Sequence, residues 1–330
     1  MTAGHRPRDR VRACVAVALG VTGVLWALCV PAAGWWWVCA LAANFVAVSI
    51  VFPVVAAALL AGRGLRTLRR MVVVVLLVQV LAVGWWLVNG RAARASGNGA
   101  AGSMVRVVQC NTRTGGASPE AVLGLLGESG ADVVALTEVS SAALERLRID
   151  PEMLLRFPYR DVPPWRLTHT KLILSKWPIV PLVLRPDLPA GDPLRAVRLV
   201  RVLHKDGPFV VLLVHPSSPR TPARWREGNA LLEAAIEAVR ELAPDEPLVV
   251  LADLNSTPTG GRSRRLVAAL GVDRCKPLLA LDGTYPAGLP WPLRVAIDDA
   301  WVSREWRVAS WETVAVPGSD HRAVTVDLQR

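Results

Sequence analysis

Hydrophobicity along the chain changes character near residue 100. Before that point three long apolar runs, about 11–30, 38–60 and 71–88, follow one another with few polar breaks. A helix needs about 20 apolar residues to cross a bilayer core, so each run predicts a transmembrane helix and residues 1–90 a membrane anchor. The first run alone would also suit a cleaved signal peptide, but two more follow it. Tryptophans at 35–37 and 85–86 fall at expected membrane–water interfaces, where amphipathic rings prefer to lie. Residues 91–103, rich in Gly, Ala, Ser and Asn without periodicity, read as a flexible linker.

After the linker the apolar runs shorten and polar turns separate them. Val105–Cys110, Asp132–Thr137, Lys171–Lys176, Ile179–Leu184, Ala196–Leu203, Phe209–Val214, Leu248–Leu251, Val295–Val302, Arg307–Trp311 and Ala323–Leu328 read as strands. Three helices interrupt them: Pro119–Gly127 capped by Ser118, Ser140–Arg148, and Thr221–Leu242 opened by Thr221-Pro222. Leu231, Leu232, Ala235, Ile236 and Val239 form one apolar stripe on the last. Strands dominate and only some are separated by helices. Residues 104–330 are therefore expected to form an α/β domain built on two packed sheets.

Charge sharpens this division. The chain of 330 residues is 52% hydrophobic and 20% charged, with a net charge of +11. Its mean hydropathy of +0.35 excludes a disordered or collagen-like chain. Residues 1–100 hold ten arginines and a single acid, Asp9, so most of the positive charge lies in the anchor. The domain after it is close to neutral, which counts against nucleic acid as the main partner. Arginine placement also sets orientation. Arg6, Arg8, Arg10 and Arg12 precede the first run, and Arg63, Arg66, Arg69 and Arg70 lie between the second and third. The positive-inside rule makes both segments cytoplasmic and leaves the domain after Val88 outside the cell membrane, with Arg91 and Arg94 in mild opposition.

The polar residues that could carry chemistry follow or begin apolar strands. Asn111 follows the first, Glu138 the second, and His215 the run ending at Val214. Asp253 and Asn255 follow Leu248–Ala252, Asp298 lies in the Val295–Val302 run, and Ser319-Asp320-His321 precedes the last strand. Taken singly, each reads as a cap or turn residue. As an ordered series at strand ends, which packed sheets bring to a common rim, they predict a shared site.

The series resembles the endonuclease/exonuclease/phosphatase superfamily of metal-dependent phosphoesterases related to pancreatic-type deoxyribonuclease. The matching segments are Val-Gln-Cys-Asn111, Ala-Leu-Thr-Glu138, Ile-Leu-Ser-Lys-Trp-Pro at 173–178, Leu-Val-His215, Ala-Asp253-Leu-Asn255-Ser-Thr-Pro258, Ala-Ile-Asp298 and Gly-Ser-Asp320-His321-Arg. The resemblance implies a four-layer α/β/β/α sandwich and a divalent ion, Mg²⁺ or Mn²⁺, held by Glu138 with Asn111 and Asp320. It also implies roles for the other residues. Asp253 would activate water and Asn255 would fix the water or the phosphate. His321, oriented by Asp298, would stabilise phosphoryl charge, and His215 would contact the phosphate or protonate the leaving oxygen. Oxygen-rich sites of few carboxylates suit Mg²⁺.

Some positions depart from the family pattern. Ala252 stands where Gly is usual, Leu254 where an aromatic is common, and Asp299 adds a charge that either raises a neighbouring carboxylate's pKa or faces solvent. Arg262, Arg264 and Arg265 read as a solvated helix start rather than a phosphate clamp, and Trp291 as a packed loop or a membrane contact. Cys110 and Cys275 could form a disulfide in an oxidising compartment, but nothing in the sequence brings them together.

An anchor, a linker and an outward phosphoesterase domain are similar to the VanJ-like membrane proteins associated with teicoplanin resistance. That resemblance implies a phosphate-containing substrate at the lipid bilayer, such as a lipid-linked phosphate or pyrophosphate. Two other readings stand beside it: a surface nuclease using the same chemistry, and a catalytically silent binding protein.

Overall fold

The computed structural model describes residues 7–46, 48–61, 66–88, 103–162, 170–182, 196–278, 280 and 282–330. The chain divides into two compact units, Met1–Asn89 with Pro258–Gly261, and Gly90–Thr257 with Arg262–Arg330. The linker expected at 91–103 lies outside the described residues except for Ser103.

The first unit is helical: α1 (Pro7–Ala32), α2 (Trp37–Ala43), α3 (Val48–Leu59) and α4 (Arg66–Val88). Helices α1 and α3 pack through small residues. A Cβ on Gly23 would come within 2.8 Å of the Ser49 carbonyl, so glycine permits the approach. Many large apolar side chains stay exposed, among them Val21, Leu25, Val51, Leu77 and Leu81. Among the described residues one helix, Arg10–Ala32, is long and apolar enough to cross a membrane, not the three expected. The run at 38–60 is not one helix. Asn44, a poor helix former suited to helix ends, terminates α2, and the chain restarts as the shorter α3. The run at 71–88 falls in α4, but its last side chains, including Trp85 and Trp86, lie outside the described residues.

The second unit is a sandwich of two mixed six-stranded sheets, as the strand-rich pattern predicted. In chain order its elements are β1 (Met104–Asn111), α5 (Pro119–Glu128), β2 (Val133–Val139), α6 (Ser141–Ile149), α7 (Pro151–Arg156), β3 (Tyr159–Asp161), β4 (Thr170–Ser175), β5 (Ile179–Pro181), β6 (Arg198–Val202), β7 (Phe209–Val214), α8 (Pro222–Leu242), β8 (Leu248–Asp253), α9 (Gly261–Leu270), β9 (Asp273–Arg274), β10 (Asp298–Val302), β11 (Arg307–Ala315) and β12 (Arg322–Gln329). One sheet runs β11-β12-β1-β2-β4-β3 and the other β5-β6-β7-β8-β10-β9. In each sheet a central pair, β1 with β2 and β7 with β8, is parallel.

Three cores make four layers. Val105, Val107, Phe209, Val211, Val249, Leu251 and Ala300 meet between the sheets. Leu126, Leu144 and Met153 pack α5, α6 and α7 onto the first sheet. The predicted α8 stripe packs with Leu266 onto the second. Central strands such as Phe209–Val214 are buried at every position because both faces are covered. Ser118, Ser140 and Thr221 each accept a bond from a backbone N–H three residues on, which fixes the starts of α5, α6 and α8.

Three elements escaped the sequence pattern: α7, β3 and β9 are too short or too polar to show periodicity, while α9 follows the helix start expected at Arg262–Arg265. Strand β10 begins at Asp298 rather than Val295. Part of the run predicted at Ile179–Leu184 lies outside the described residues. Cys110 and Cys275 are both free and buried in different cores, so they do not pair.

Candidate active site

Strand periodicity builds the site. Because side chains alternate across a strand, β1 residues 105 and 107 face the inter-sheet core, and Asn111 continues that face. The same count from Val249 and Leu251 brings Asp253 inward on β8, and from Ala300 and Val302 it brings Asp298 inward on β10. Counting on from Val211 and Leu213 brings His215 to the end of β7. Asp298 pairs directly with Asp253 across the ladder. Residues distant in sequence thus reach one rim between the sheets.

Glu138 arrives differently. The β2–β4 register shifts between Leu136 and Val139, and Glu138 occupies the left-handed region at φ 56. Asn255 does likewise at φ 49. Such conformations are unfavourable for most side chains and concentrate at functional sites.

Asn111 is the hub. Its amide nitrogen donates to Glu138 Oε1 and to Asp253 Oδ2, both at 3.0 Å, and its oxygen accepts from the Arg113 N–H at 2.9 Å. Glu138 Oε2 accepts from the Thr114 N–H at 3.2 Å. His215 Nε2 lies 3.3 Å from Asp253 Oδ2 and 3.6 Å from Glu138 Oε1. Asn255 donates its backbone N–H to Asp253 Oδ1 at 2.9 Å and its side-chain amide to the Pro216 carbonyl at 3.1 Å.

His321 Nδ1 is 2.8 Å from Asp298 Oδ2 and 3.8 Å from Asp253 Oδ2. The Ser319 hydroxyl donates to the Asn111 carbonyl at 2.7 Å and accepts from the His321 N–H at 3.0 Å. These bonds tie the start of β12 to the end of β1. Asp320, more exposed, lies 4.0 Å from His321 Nε2 and 3.8 Å from Arg113 Nε. All eight residues singled out from the sequence therefore belong to one connected network.

The electrostatics are those of a crowded anionic site. Burial alone would lower the pKa of His321, but the carboxylates of Asp298, Asp253 and Asp320 outweigh it and raise it to about 10. Burial opposes ionisation of Asp253 too, yet His215, His321 and the Asn111 amide hold its carboxyl well below the usual range. Glu138 is lowered despite burial through Asn111, His215 and Thr114. Asp298 is raised, first by burial and then by Asp253.

Sequence reasoning missed several supporting groups. Gln109, buried on the inter-sheet face of β1, donates to Asp298 Oδ1 at 3.3 Å; an amide inside an apolar strand was its signal. Tyr285 packs against the His321 ring at 4.9 Å between centroids. The Thr284 hydroxyl accepts the N–H of Asp298 at 3.2 Å. Neither Tyr285 nor Thr284 stood out in a loop without periodicity. Two expectations are corrected. Asp299 does not face solvent: it is buried, ion-paired with Arg274, and accepts from Trp311 Nε1 at 2.8 Å. Arg262 is neither solvated nor a clamp on phosphate. It is buried, and its guanidinium donates to Asn229 Oδ1 and to the carbonyls of Ser217 and Leu254. Trp291 lies half exposed in a single 3-10 turn.

A model of the endonuclease/exonuclease/phosphatase family matches residues 108–321, a span that contains every residue of this network. The chain belongs to that family. The expected fold and the phosphatase or nuclease class of hydrolase acting on phosphoesters follow from the membership. Solved structures agree on the fold. An endonuclease/exonuclease/phosphatase from Bacteroides vulgatus is 17% identical with a TM-score of 0.50, covering 69% of this chain and 99% of its own. The 3′ phosphatase NExo from Neisseria, solved with a product DNA hairpin, is 16% identical with a TM-score of 0.52, covering 68% and 100%. A functionally unknown conserved protein from Enterococcus faecalis V583 gives 16%, 0.52, 68% and 99%. No curated protein matches the chain in sequence.

The donor chemistry of this family member fits a hard divalent cation. Glu138, Asp253, Asp298 and Asp320 bring four carboxylates to one site, and ligand atoms of Asp253, Asp298 and His321 lie within 4.8 Å of one another. This second grouping differs from the predicted set of Glu138, Asn111 and Asp320.

Proposed function

We propose that the protein is a membrane-anchored, metal-dependent phosphoesterase that hydrolyses a phosphate ester or pyrophosphate at the outer face of the membrane. The observation that carries the reading is the link Glu138–Asn111–Asp253–His215, four groups of acid, amide and imidazole chemistry held within hydrogen-bond or ion-pair reach. Glu138 and Asp320, with Asn111 beside them, would hold Mg²⁺ or Mn²⁺. When bound, that ion neutralises charge on the phosphoryl oxygens and acidifies water.

The chain's own groups divide the remaining work. Asp253 is kept ionised by its imidazole neighbours and accepts the proton of the attacking water. As the water oxygen bonds to phosphorus, the bond from phosphorus to the leaving oxygen breaks, and His215 supplies that oxygen with a proton. His321, held cationic by Asp298, stabilises the charge that builds on the phosphoryl oxygens. Asn255, anchored between Asp253 and Pro216, orients the phosphate or the water.

Support for the anchor comes from Arg10–Ala32 and the exposed apolar faces of the helical unit. With the arginine-rich N-terminus inside, one crossing or three leaves the catalytic domain outside, so the orientation does not depend on the number of spans. A substrate at the membrane surface, such as a lipid-linked phosphate or pyrophosphate, follows from that position. A surface nuclease is the second reading, favoured by the DNA-bound Neisseria structure among its neighbours; the near-neutral charge of residues 101–330 weighs against it.

The test is turnover by the purified full chain of bis-p-nitrophenyl phosphate, a prenyl pyrophosphate and plasmid DNA, with and without EDTA. Mg²⁺-dependent hydrolysis of the small phosphates, abolished in Glu138→Ala and Asp253→Ala, is expected. Preferential cleavage of DNA would favour the nuclease, and no turnover of any substrate would leave a binding protein. A reporter fused after Arg330 should be active only outside the cytoplasm.

A further inference from the structure

The catalytic rim is two rows of residues, one on each sheet. On the first sheet, neighbouring strands β12, β1 and β2 contribute His321, Asn111 and Glu138. On the second, β10, β8 and β7 contribute Asp298, Asp253 and His215. Both rows continue by one strand in the same direction, to β4 and to β6, and at the same rim each of those strands carries a cation. Lys171 stands on β4, next to the register shift that turns out Glu138, and Arg198 stands on β6, paired with Leu213 two residues before His215. Both share the inter-sheet face, since Ile173 on β4 and Val200 and Val202 on β6 belong to the core between the sheets.

Neither cation is saturated by the partners it has among the described residues. Lys171 is buried, and among the described residues its ammonium, with three protons to donate, makes one hydrogen bond, to the Ala196 carbonyl at 3.1 Å. Arg198 Nε is ion-paired with Asp161 Oδ2 at 3.9 Å and, among the described residues, makes no hydrogen bond. Glu138 and Glu227 are the acids that favour the charged lysine, while burial and Arg198 oppose it and bring its pKa down to about 8. Lys171 is buried and Arg198 half-buried, and a desolvated ammonium beside a guanidinium costs free energy unless an anion compensates it.

We propose that Lys171 and Arg198 form an anion subsite for a second phosphoryl group, so that the substrate class is a diphosphate ester with its scissile phosphorus between Glu138 and His215. The proposal rests on the phosphoesterase reading above and narrows it. One strand spacing is about 4.8 Å, so an anion held by this pair is the immediate neighbour of one held over Glu138 and His215. That offset suits two phosphoryl groups joined by one bridging oxygen. Phosphates of a nucleic acid, separated by a sugar, suit so short an offset less well.

The test measures binding rather than turnover, so it stands even if the protein hydrolyses nothing. Calorimetry on the full chain in detergent, with Mg²⁺ present, compares methylenediphosphonate, which cannot be hydrolysed at its P–C–P bridge, with methylphosphonate. The wild type should bind the diphosphonate at least ten-fold more tightly. In Lys171→Met and Arg198→Met that preference should collapse towards one, and in Lys171→Arg it should persist. If the Met variants do not fold, protection of Lys171 from acylation by the diphosphonate, read by mass spectrometry on the wild type, reports the same contact. A wild-type preference near one, unchanged preference in both variants, no protection, or stronger competition by a 5′-phosphorylated dinucleotide would overturn the subsite. A retained preference without any turnover would support the subsite and remove the enzyme reading instead.

Discussion

His321 Nδ1 lies 2.8 Å from Asp298 Oδ2, and both side chains are buried. The carboxylate, with Asp253 and Asp320, holds the imidazole as a cation with a pKa of about 10, against burial, which lowers it. In EDTA-treated protein the His321 ring should therefore stay protonated across neutral pH. Because its folded pKa is raised, its contribution to stability is complete below roughly pH 6.5, the ordinary histidine value, and is lost as pH climbs through about 10. Asp298→Asn should lower the ring's pKa and flatten that pH dependence. If His321 stabilises transition-state charge, kcat should also fall by about 10²–10³. Imidazole NMR titration and steady-state kinetics check both outcomes.

The adjacent carboxylate should behave in the opposite way. Asp299 is ion-paired with the buried Arg274 and bonded to Trp311 of the other sheet. Asp299→Asn strands a buried guanidinium, which typically costs about 3–5 kcal/mol. Urea denaturation should show that loss, while the His321 titration stays where it was. A shift of the imidazole in Asp299→Asn would mean that the two neighbours act as one unit.

The contrast between these two aspartates shows what could be read from the sequence and what could not. Their identity and spacing are plain, but the partner of each is set by tertiary packing: Arg274 and Trp311 lie on separate strands. The eight site residues were legible because each stands at the end of an apolar strand, and strand ends in a sandwich converge. Gln109, Tyr285 and Arg262 were not, because a polar residue in a core strand, a loop aromatic and a basic helix start have common innocuous readings. Short polar elements such as β9 carry no period to detect. The run at 38–60 was misjudged for another reason. Hydropathy over 38–60 is continuous across Asn44, so the apolar run hides the residue that ends α2.

Removal of the divalent ion gives a prediction with two opposed signs. EDTA should abolish turnover, and Mg²⁺ at a hundred times its dissociation constant should stabilise the folded protein by about 2.7 kcal/mol. Glu138→Gln should lose most of both effects. Asn111 bridges Glu138 and Asp253, each at 3.0 Å, so Asn111→Asp replaces a shared donor with a further negative charge. The metal-free variant should be less stable than the wild type, and its stabilisation by Mg²⁺ should be larger. Thermal melts across a Mg²⁺ titration measure both. Equal Mg²⁺ stabilisation of Glu138→Gln and the wild type would put the ion elsewhere.

Arg262 offers the sharpest test of how the loops of the site are held. Its guanidinium reaches the Ser217 carbonyl at 2.8 Å, two residues after His215, and the Leu254 carbonyl at 3.2 Å, between Asp253 and Asn255. It also reaches Asn229 on α8 at 3.0 Å. One buried cation thus joins the two loops that carry the proton donor and the water-activating acid. Space for it depends on Gly228, where a Cβ would come within 2.2 Å of Arg262 Nη2 and 2.9 Å of the Ser217 carbonyl. Hydrogen bonds to charged groups contribute about 1.5–3 kcal/mol, so Arg262→Met should cost on the order of 3 kcal/mol. Gly228→Ala, which removes no polar group, should reproduce much of that loss by displacing the guanidinium. Because both changes break the same contacts, the double variant should be little worse than Arg262→Met alone, with a clear coupling energy in the cycle. Denaturation of the four proteins decides it: additive losses would show that Gly228 and Arg262 act independently, and a neutral Gly228→Ala would show that the guanidinium does not occupy the cradle.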